Sequence, residues 1–162
     1  EIYTLSLHDA LPIFEVEMKP LGRHPHFIIA APDHRLARRR HVSPPELANE
    51  TFITREQGSG TRMLMQQYFE RVGLEPKLGM AMDSNETIKQ AVMARLGIAF
   101  ISQHTVFHEL EDGRLVVLKV KGLPIVRQWH AIRRTDKILL PPAQAMLDFL
   151  GKEGWRYLPN SH

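Results

Sequence analysis

The residues best suited to chemistry lie in a glycine-rich loop between a predicted strand and a predicted helix. Residues 55–62 read Arg-Glu-Gln-Gly-Ser-Gly-Thr-Arg. Glycines permit a tight turn, and the first turn of a helix offers free N–H groups and partial positive charge, so such a loop can hold an anion. Arginines add a bidentate grip on carboxylate or phosphate. The candidate binding residues here are Arg55, Gly58, Ser59, Gly60, Thr61 and Arg62.

A second predicted helix begins in the segment Asp-Ser-Asn-Glu-Thr, residues 83–87. Asp83 and Glu86 have the spacing of a capping box. Two helices that follow parallel strands begin at the same sheet edge, where open α/β sheets bind ligands. Ser84 and Asn85 are therefore candidate ligand donors, although ordinary helix capping explains these residues too, and an ordinary capped turn also explains the glycine loop.

Several other chemistries lack the residues they need. The chain has no cysteine, which excludes disulfides, thiolate zinc sites and a cysteine nucleophile. The spacings of a phosphate-binding P-loop and of a dinucleotide fingerprint are both absent. Nine histidines are present, but no metal-binding pair falls on a predicted helix face, and His24 and His26 alternate on a strand-like segment, so we expect no metal and no cofactor.

An enzyme is not expected either. Ser59 lacks the Gly-x-Ser-x-Gly elbow, and no nucleophile and base pair has positions that the sequence fixes, which leaves a hydrolase as a minor alternative. The net charge of +3 comes from scattered residues, apart from the run 38–41, which is typical of a solvated loop. No segment is apolar and long enough to predict a membrane span.

Strands and helices alternate along the chain, which predicts parallel α/β packing. One predicted helix runs up to Gly73 and carries an apolar face. A second predicted helix, with Ile88, Val92 and Leu96, ends at Gly97. A last helix is predicted over residues 141–150, and its inward face comprises Ala143, Met146, Leu147 and Leu150. The predicted strands are 14–18, 26–31, 51–54, 78–82, 98–101, 115–120 and 126–133, and a short helix is predicted over 105–110. Residues 1–13 fit neither pattern, and we expect them to be extraneous to the domain.

With these elements in place, the sequence resembles the effector (substrate)-binding domain of LysR-type transcriptional regulators. The resemblance rests on Arg-Glu-x-Gly-Ser-Gly-Thr-Arg, on Ser-Asn-Glu-Thr-Ile-Lys-Gln-Ala-Val and on Gly-Ile-Ala-Phe-Ile-Ser, and it is greatest to regulators of RuBisCO and other Calvin-cycle operons. It implies an α/β fold like that of type 2 periplasmic binding proteins, with two Rossmann-like subdomains and a cleft. Residues 46–125 would form the second subdomain, 14–45 and 126–152 an incomplete first subdomain, and 153–162 a tail.

The resemblance also implies a function. A small anionic metabolite, phosphorylated compounds included, would bind in the cleft, where Ser102 and Gln103 join the two loops as candidate binding residues. The full-length regulator would be cytoplasmic, would form a homodimer or homotetramer, and would bind DNA through an N-terminal winged helix-turn-helix that we expect this truncated chain to lack. A periplasmic-type solute-binding protein for a small anion is the alternative with the same fold.

Overall fold

The computed structural model describes residues 15–158, in two compact units. The larger unit comprises residues 24–127, and the described part of the smaller unit comprises residues 15–23 and 128–158. This division falls inside two strands, whereas the resemblance places the subdomain boundaries at 45 and 125. The segment 1–13, expected to be extraneous, lies outside the described residues.

The first strand, β1, runs without interruption from Val16 to Ala30. The sequence predicts two strands here, over 14–18 and 26–31, because Pro20, Gly22 and Pro25 interrupt the pattern. That prediction is wrong, since all three residues are accommodated within one extended strand. The consequence is a strand shared by both units, with its second half in the core of the larger one.

The larger unit is built on a five-stranded sheet in the order β3-β2-β4-β1-β5. The other strands are β2 (Thr51–Arg55), β3 (Lys77–Met82), β4 (Ile98–Ser102) and β5 (Val116–Leu118). Strand β2 pairs in parallel with β3 and β4, as predicted, but β1 is antiparallel to both β4 and β5. Parallel pairing requires a crossover connection, usually a helix. Between β1 and β2 there is only the 3-10 turn Pro44–Leu47, so the all-parallel prediction fails for β1.

Three helices cover the two faces of this sheet: α1 (Gly60–Arg71), α2 (Asn85–Met93) and α3 (Gln103–Glu111). Successive residues of a strand point to opposite faces. Phe52 accordingly packs in a cluster with Tyr68 and Phe69 of α1, while Ile53 packs in a second cluster with residues of α2 and α3. The two faces of β2 are thereby covered by different helices, one by α1 and the other by α2 and α3.

Helix α2 differs from its prediction at both ends. Ser84, not Asp83, is its N-cap, and the Glu86 carboxylate contacts Lys89 and Gln90 instead of closing a capping box. The helix ends at Met93, and Leu96 is 53% exposed because the chain has already left the helix. Gly97 does not terminate the helix, and is needed instead for close packing, since a Cβ there would lie 2.4 Å from the carbonyl oxygen of Thr51.

In the smaller unit, β6 (Ile125–Arg134) pairs with β1 and is followed by α4 (Pro141–Glu153) and the 3-10 turn Gly154–Tyr157. The predicted inward face of α4 is not buried: Ala143 and Met146 are exposed, and Leu147 and Leu150 are only half-buried. The described residues of this unit offer two strand segments and one turn against the helix. Among the described residues, the predicted apolar face of α4 is therefore largely uncovered.

Candidate anion-binding site

The candidate site is the edge of the larger unit where β2, β3 and β4 end, which we call the carboxyl edge. These parallel strands end at Arg55, Met82 and Ser102, and each is followed by the N-terminus of a helix. The prediction that the first two helix starts share one sheet edge is confirmed. Unpaired N–H groups and the positive ends of three helix dipoles therefore meet at this edge.

The glycine loop is shaped by Gly58, whose φ of 90° lies in the region that only glycine adopts readily. This turn leads into Ser59, the N-cap of α1, which has an extended backbone and whose hydroxyl does not cap the helix. The Ser59 hydroxyl is thus left for another acceptor or donor. Gly60 follows at the exposed start of the helix, and a Cβ on it would lie 4.0 Å from the Nη1 atom of Arg127.

Arg55 ties the first two loops together. Its Nε and Nη2 atoms donate to the Glu56 carboxylate at 2.7 and 2.9 Å, and its Nη1 donates to the Asn85 Oδ1 at 2.9 Å. The hydrogen bond from Arg55 also holds the pKa of Glu56 below its usual range. With its guanidinium directed to these two partners, Arg55 orients the site. Because the Asn85 oxygen accepts from Arg55, the amide NH₂ of Asn85 is the end that remains able to donate.

Arg62 folds back onto the same loop. Its Nη1 donates to the carbonyl oxygen of Arg55 at 3.2 Å, and its buried Nε has no hydrogen-bond partner among residues 15–158. A buried donor without a partner costs about 1–3 kcal/mol. Thr61, beside it, is half-buried at the first turn of α1. Both residues lie in the first turn of α1, and Arg62 braces the backbone of the loop that precedes the helix.

The remaining predicted residues begin α2 and α3. The Ser84 hydroxyl accepts from the N–H of Thr87 in a long 3.5 Å contact, so Ser84 is a weak cap. The Ser102 hydroxyl accepts from the backbone N–H of His104 at 3.2 Å and is 2.7 Å from the Nε2 of His24. Gln103 is the half-buried first residue of α3.

Sequence reasoning missed four basic residues at this edge, His24, His26, His104 and Arg127, which we call the histidine cluster. The ring centroids of His24 and His26 are 4.3 Å apart, and those of His24 and His104 are 5.1 Å apart. His26 is stacked on Phe100 at 5.8 Å. The sequence signal for this cluster is the alternation of His24 and His26 along a strand. That alternation indicates a site at this edge only when the direction of β1 is known.

The cluster makes its histidines weak bases. Burial lowers the pKa of His24 to about 3, and the neighbouring His26, His104 and Arg127 lower it in the same direction. Burial likewise lowers the pKa of His26 to about 4, partly opposed by a hydrogen bond with the backbone of His24. Both imidazoles are therefore neutral at pH 7, and Arg127 is a permanent cation beside them.

Residues 15–158 contain no group of three or more histidine, aspartate or glutamate side chains arranged to hold a metal ion. None of their helices combines the length and the apolar character that crossing a membrane requires.

Comparison with known proteins places this geometry in a family. The family model described as LysR substrate binding domain matches residues 6–155, a match that begins inside the segment expected to be extraneous. The chain belongs to the LysR substrate-binding domain family. The family consists of transcriptional regulators, and its domain has the type 2 periplasmic-binding-protein-like α/β fold predicted from the sequence.

Two curated relatives of this LysR domain are transcriptional regulators. It is 53% identical over 150 residues to the HTH-type transcriptional regulator CbbR of Xanthobacter flavus, covering 91% of this chain and 45% of the relative. It is 45% identical over 142 residues to the RuBisCO operon transcriptional regulator of Allochromatium vinosum, covering 88% of this chain and 47% of that protein. The chain thus spans about half the length of the curated relatives it matches, and the predicted likeness to RuBisCO operon regulators is confirmed.

A solved LysR-family structure supports the same assignment. The Synechocystis PCC6803 CcmR regulatory domain in complex with 2-PG superposes with a TM-score of 0.79 at 35% sequence identity. The match covers 85% of this chain and 66% of that one.

Proposed function

We propose that this chain is the ligand-sensing domain of a LysR-type regulator of carbon-fixation genes, and that its carboxyl edge binds a small phosphorylated metabolite. The observation that carries the proposal is the convergence of three helix N-termini and Arg127 on one edge of the sheet. Such a place suits a compact anion with several acceptor oxygens. The names of the relatives, which are RuBisCO operon regulators, and the 2-PG bound by the Synechocystis domain favour this class of ligand.

The residues at this edge would have three roles: donating hydrogen bonds to the anion, supplying positive charge and positioning the loops. The backbone N–H groups at the start of α1 and the Ser59 hydroxyl would donate to the anion, and Arg127 would supply the charge. Arg55 and Arg62 would hold the loops in position, since both are bonded to loop atoms. The proposed contact set is Gly58, Ser59, Gly60, Thr61, Ser84, Asn85, Ser102, Gln103 and Arg127.

In the full-length regulator, binding would shift an equilibrium between conformations. A ligand that binds one arrangement of the domain better than another must favour that arrangement by the difference in its binding free energy. We propose that the change is passed to a winged helix-turn-helix in the other half of the protein, and that the regulator acts on DNA as a homodimer or homotetramer. The domain itself would carry out no catalysis.

The test is thermal unfolding of the chain, followed by calorimetry, with ribulose bisphosphate, phosphoglycerate, 2-phosphoglycolate, NADPH, sulfate and simple dicarboxylates. A ligand that binds only the folded state stabilises it by about 2.7 kcal/mol at a hundred times its Kd. We expect a saturable rise in the midpoint with a phosphorylated compound. A midpoint that no anion raises would contradict the proposal.

A pair of variants with the same change of charge localises the site. Arg127→Gln should abolish most of the shift, because it removes a cation whose Nη1 would lie 4.0 Å from a Cβ on Gly60 in the glycine loop. Arg38→Gln removes an exposed arginine in the loop after β1 and should leave the shift intact. Equal losses in both variants would mean that net charge, and not the carboxyl edge, governs binding.

A further inference from the structure

Among residues 15–158, the neighbouring side chains that lower the pKa of His24 are basic. They are His26 of β1, His104 of α3 and Arg127 of β6. His26 is influenced by Arg127 and His104 as well. Positive neighbours oppose protonation of an imidazole, whereas a nearby anion favours it. A dianion bound among these groups would therefore favour the protonated form of His24 over the neutral form.

The Ser102 hydroxyl connects His24 to the carboxyl edge. Its oxygen accepts the His104 N–H, and a hydroxyl has a single hydrogen to donate. When His24 is neutral, with its Nε2 as acceptor at 2.7 Å, that hydrogen is directed to His24. When His24 is protonated, Nε2–H becomes the donor, so Ser102 accepts from both histidines and its own hydrogen is free for another acceptor.

His26 fixes this geometry. Its Nδ1 lies 3.1 Å from the carbonyl oxygen of His24, to which Nδ1–H can donate. The residue is 3% exposed, and its ring is stacked on Phe100. His26 thus holds the backbone of His24 beside Ser102, and one titrating imidazole, that of His24, is enough for the switch.

We propose that the histidine cluster couples anion binding to proton uptake: a phosphate dianion binds with His24 protonated, and Ser102 turns its hydroxyl hydrogen from His24 to the anion. The proton comes from solvent and goes to Nε2 of His24, and no covalent bond to carbon, oxygen or phosphorus changes. The inference rests on the proposed function of the carboxyl edge. It makes this domain respond to pH as well as to its metabolite, with tighter binding at lower pH.

The first experiment follows the histidine Cε1–H signals by NMR in the 162-residue chain, from about pH 8 to about pH 5, with and without saturating 2-phosphoglycolate. These signals report the protein's protons whatever the ligand's own titration. We expect the pKa of His24 to rise from about 3 to near 7 when the ligand is bound, a shift of about four units. Binding that leaves the titration of His24 unchanged overturns the inference and leaves the proposed function standing, whereas no binding of any anion in the panel overturns both.

The second experiment measures the Kd for sulfate, which does not titrate in this range. If the occupied site has a His24 pKa near 7, one coupled proton lowers the Kd about tenfold between pH 8 and pH 6. His24→Gln should flatten this dependence, and Ser102→Ala should weaken binding chiefly at the lower pH. His108→Gln, at an imidazole that is 84% exposed, is the matched control. A Kd independent of pH in the unmodified chain would overturn the inference even if a variant failed to fold.

Discussion

His26 lies directly opposite Ser102 in the antiparallel ladder between β1 and β4. This pairing brings the start of the buried half of β1 to the edge where β4 ends, and it places His24, two residues earlier, against the Ser102 hydroxyl. A strand in the opposite direction would carry both histidines to the other end of the sheet. The antiparallel direction of β1 therefore creates the basic side of the candidate site.

The buried histidines should make folding sensitive to acid in the absence of ligand. The pKa of His26 falls from 6.5 in a model peptide to about 4 in the fold, so the unfolded chain binds the proton first on acidification. Stability is then complete above about pH 6.5 and decreases as pH falls toward 4, by at most about 1.4 kcal/mol per pH unit for this residue. Urea unfolding at about pH 7.5 and about pH 5 should show the loss.

His26→Gln should reduce that pH dependence while lowering stability at neutral pH, because the stacking on Phe100 is lost. His108→Gln should keep the full dependence, since its side chain is 84% exposed and lies outside the histidine cluster. Because the pKa of His24 is lowered as well, part of the acid loss should remain in His26→Gln, and an undiminished loss would assign the effect to other groups.

The same relationship shows why half of the site escaped prediction. The glycine loop and the start of α2 are local patterns, and their common edge follows from βαβ connectivity, so residues 58–62 and 84–85 could be found from the sequence. The histidine cluster depends on the pairing of β1 with β4. These strands are separated by about seventy residues and are not joined by a single βαβ connection. No local sequence pattern predicts whether two such distant strands pair in parallel or antiparallel.

A buried ion pair joins α2 to α3. The Lys89 Nζ is 3.0 Å from the Glu109 carboxylate, and both residues are less than a tenth exposed. Removing one partner leaves a buried charge, which typically costs 3–5 kcal/mol. We expect Lys89→Met to cost slightly less, because Arg114 lies 3.6 Å from the same carboxylate. Urea unfolding of the unmodified chain and of Lys89→Met measures this cost.

The control for this pair is Glu86→Gln, at a 62% exposed carboxylate that also contacts Lys89. Exposed ion pairs contribute about 0–1 kcal/mol, so this variant should barely change the free energy of unfolding. If Glu86→Gln proved as costly as Lys89→Met, the burial of Glu109 would not be the reason for the effect.

Gly97 should be intolerant of any side chain, although its backbone is not in the left-handed region. An added Cβ would lie 2.4 Å from the carbonyl oxygen of Thr51 and 3.2 Å from the Ile53 side chain. The backbone of β2 would have to move, at a cost of about 1–3 kcal/mol. Gly97→Ala should lower the thermal midpoint, while Gly151→Ala, in helix α4 with its nearest contact at 3.7 Å, should not.

The helices and their apolar faces were easier to predict than the structures against which those faces pack. The apolar face of α1 was correctly predicted, with Met65, Tyr68 and Phe69 buried, because it packs on a sheet within its own unit. The face of α4 has the same period but is largely exposed, since burial depends on what a helix packs against. Periodicity predicts which side of a helix is apolar and carries no information about its partner.

The contact between Arg55 and Asn85 predicts a coupling that binding measurements can detect. The 2.9 Å hydrogen bond joins the loop before α1 to the first residue of α2. If it positions both helix N-termini, Arg55→Lys and Asn85→Ala should each weaken binding of 2-phosphoglycolate, and the double variant should be little worse than either, with an interaction energy of about 0.5–3 kcal/mol. Asp33→Asn, which removes an exposed 2.6 Å pair with Arg95, is the control and should leave the Kd unchanged. Strictly additive losses at Arg55 and Asn85 would show that each residue acts on the ligand independently, and the hydrogen bond would then have no part in shaping the site.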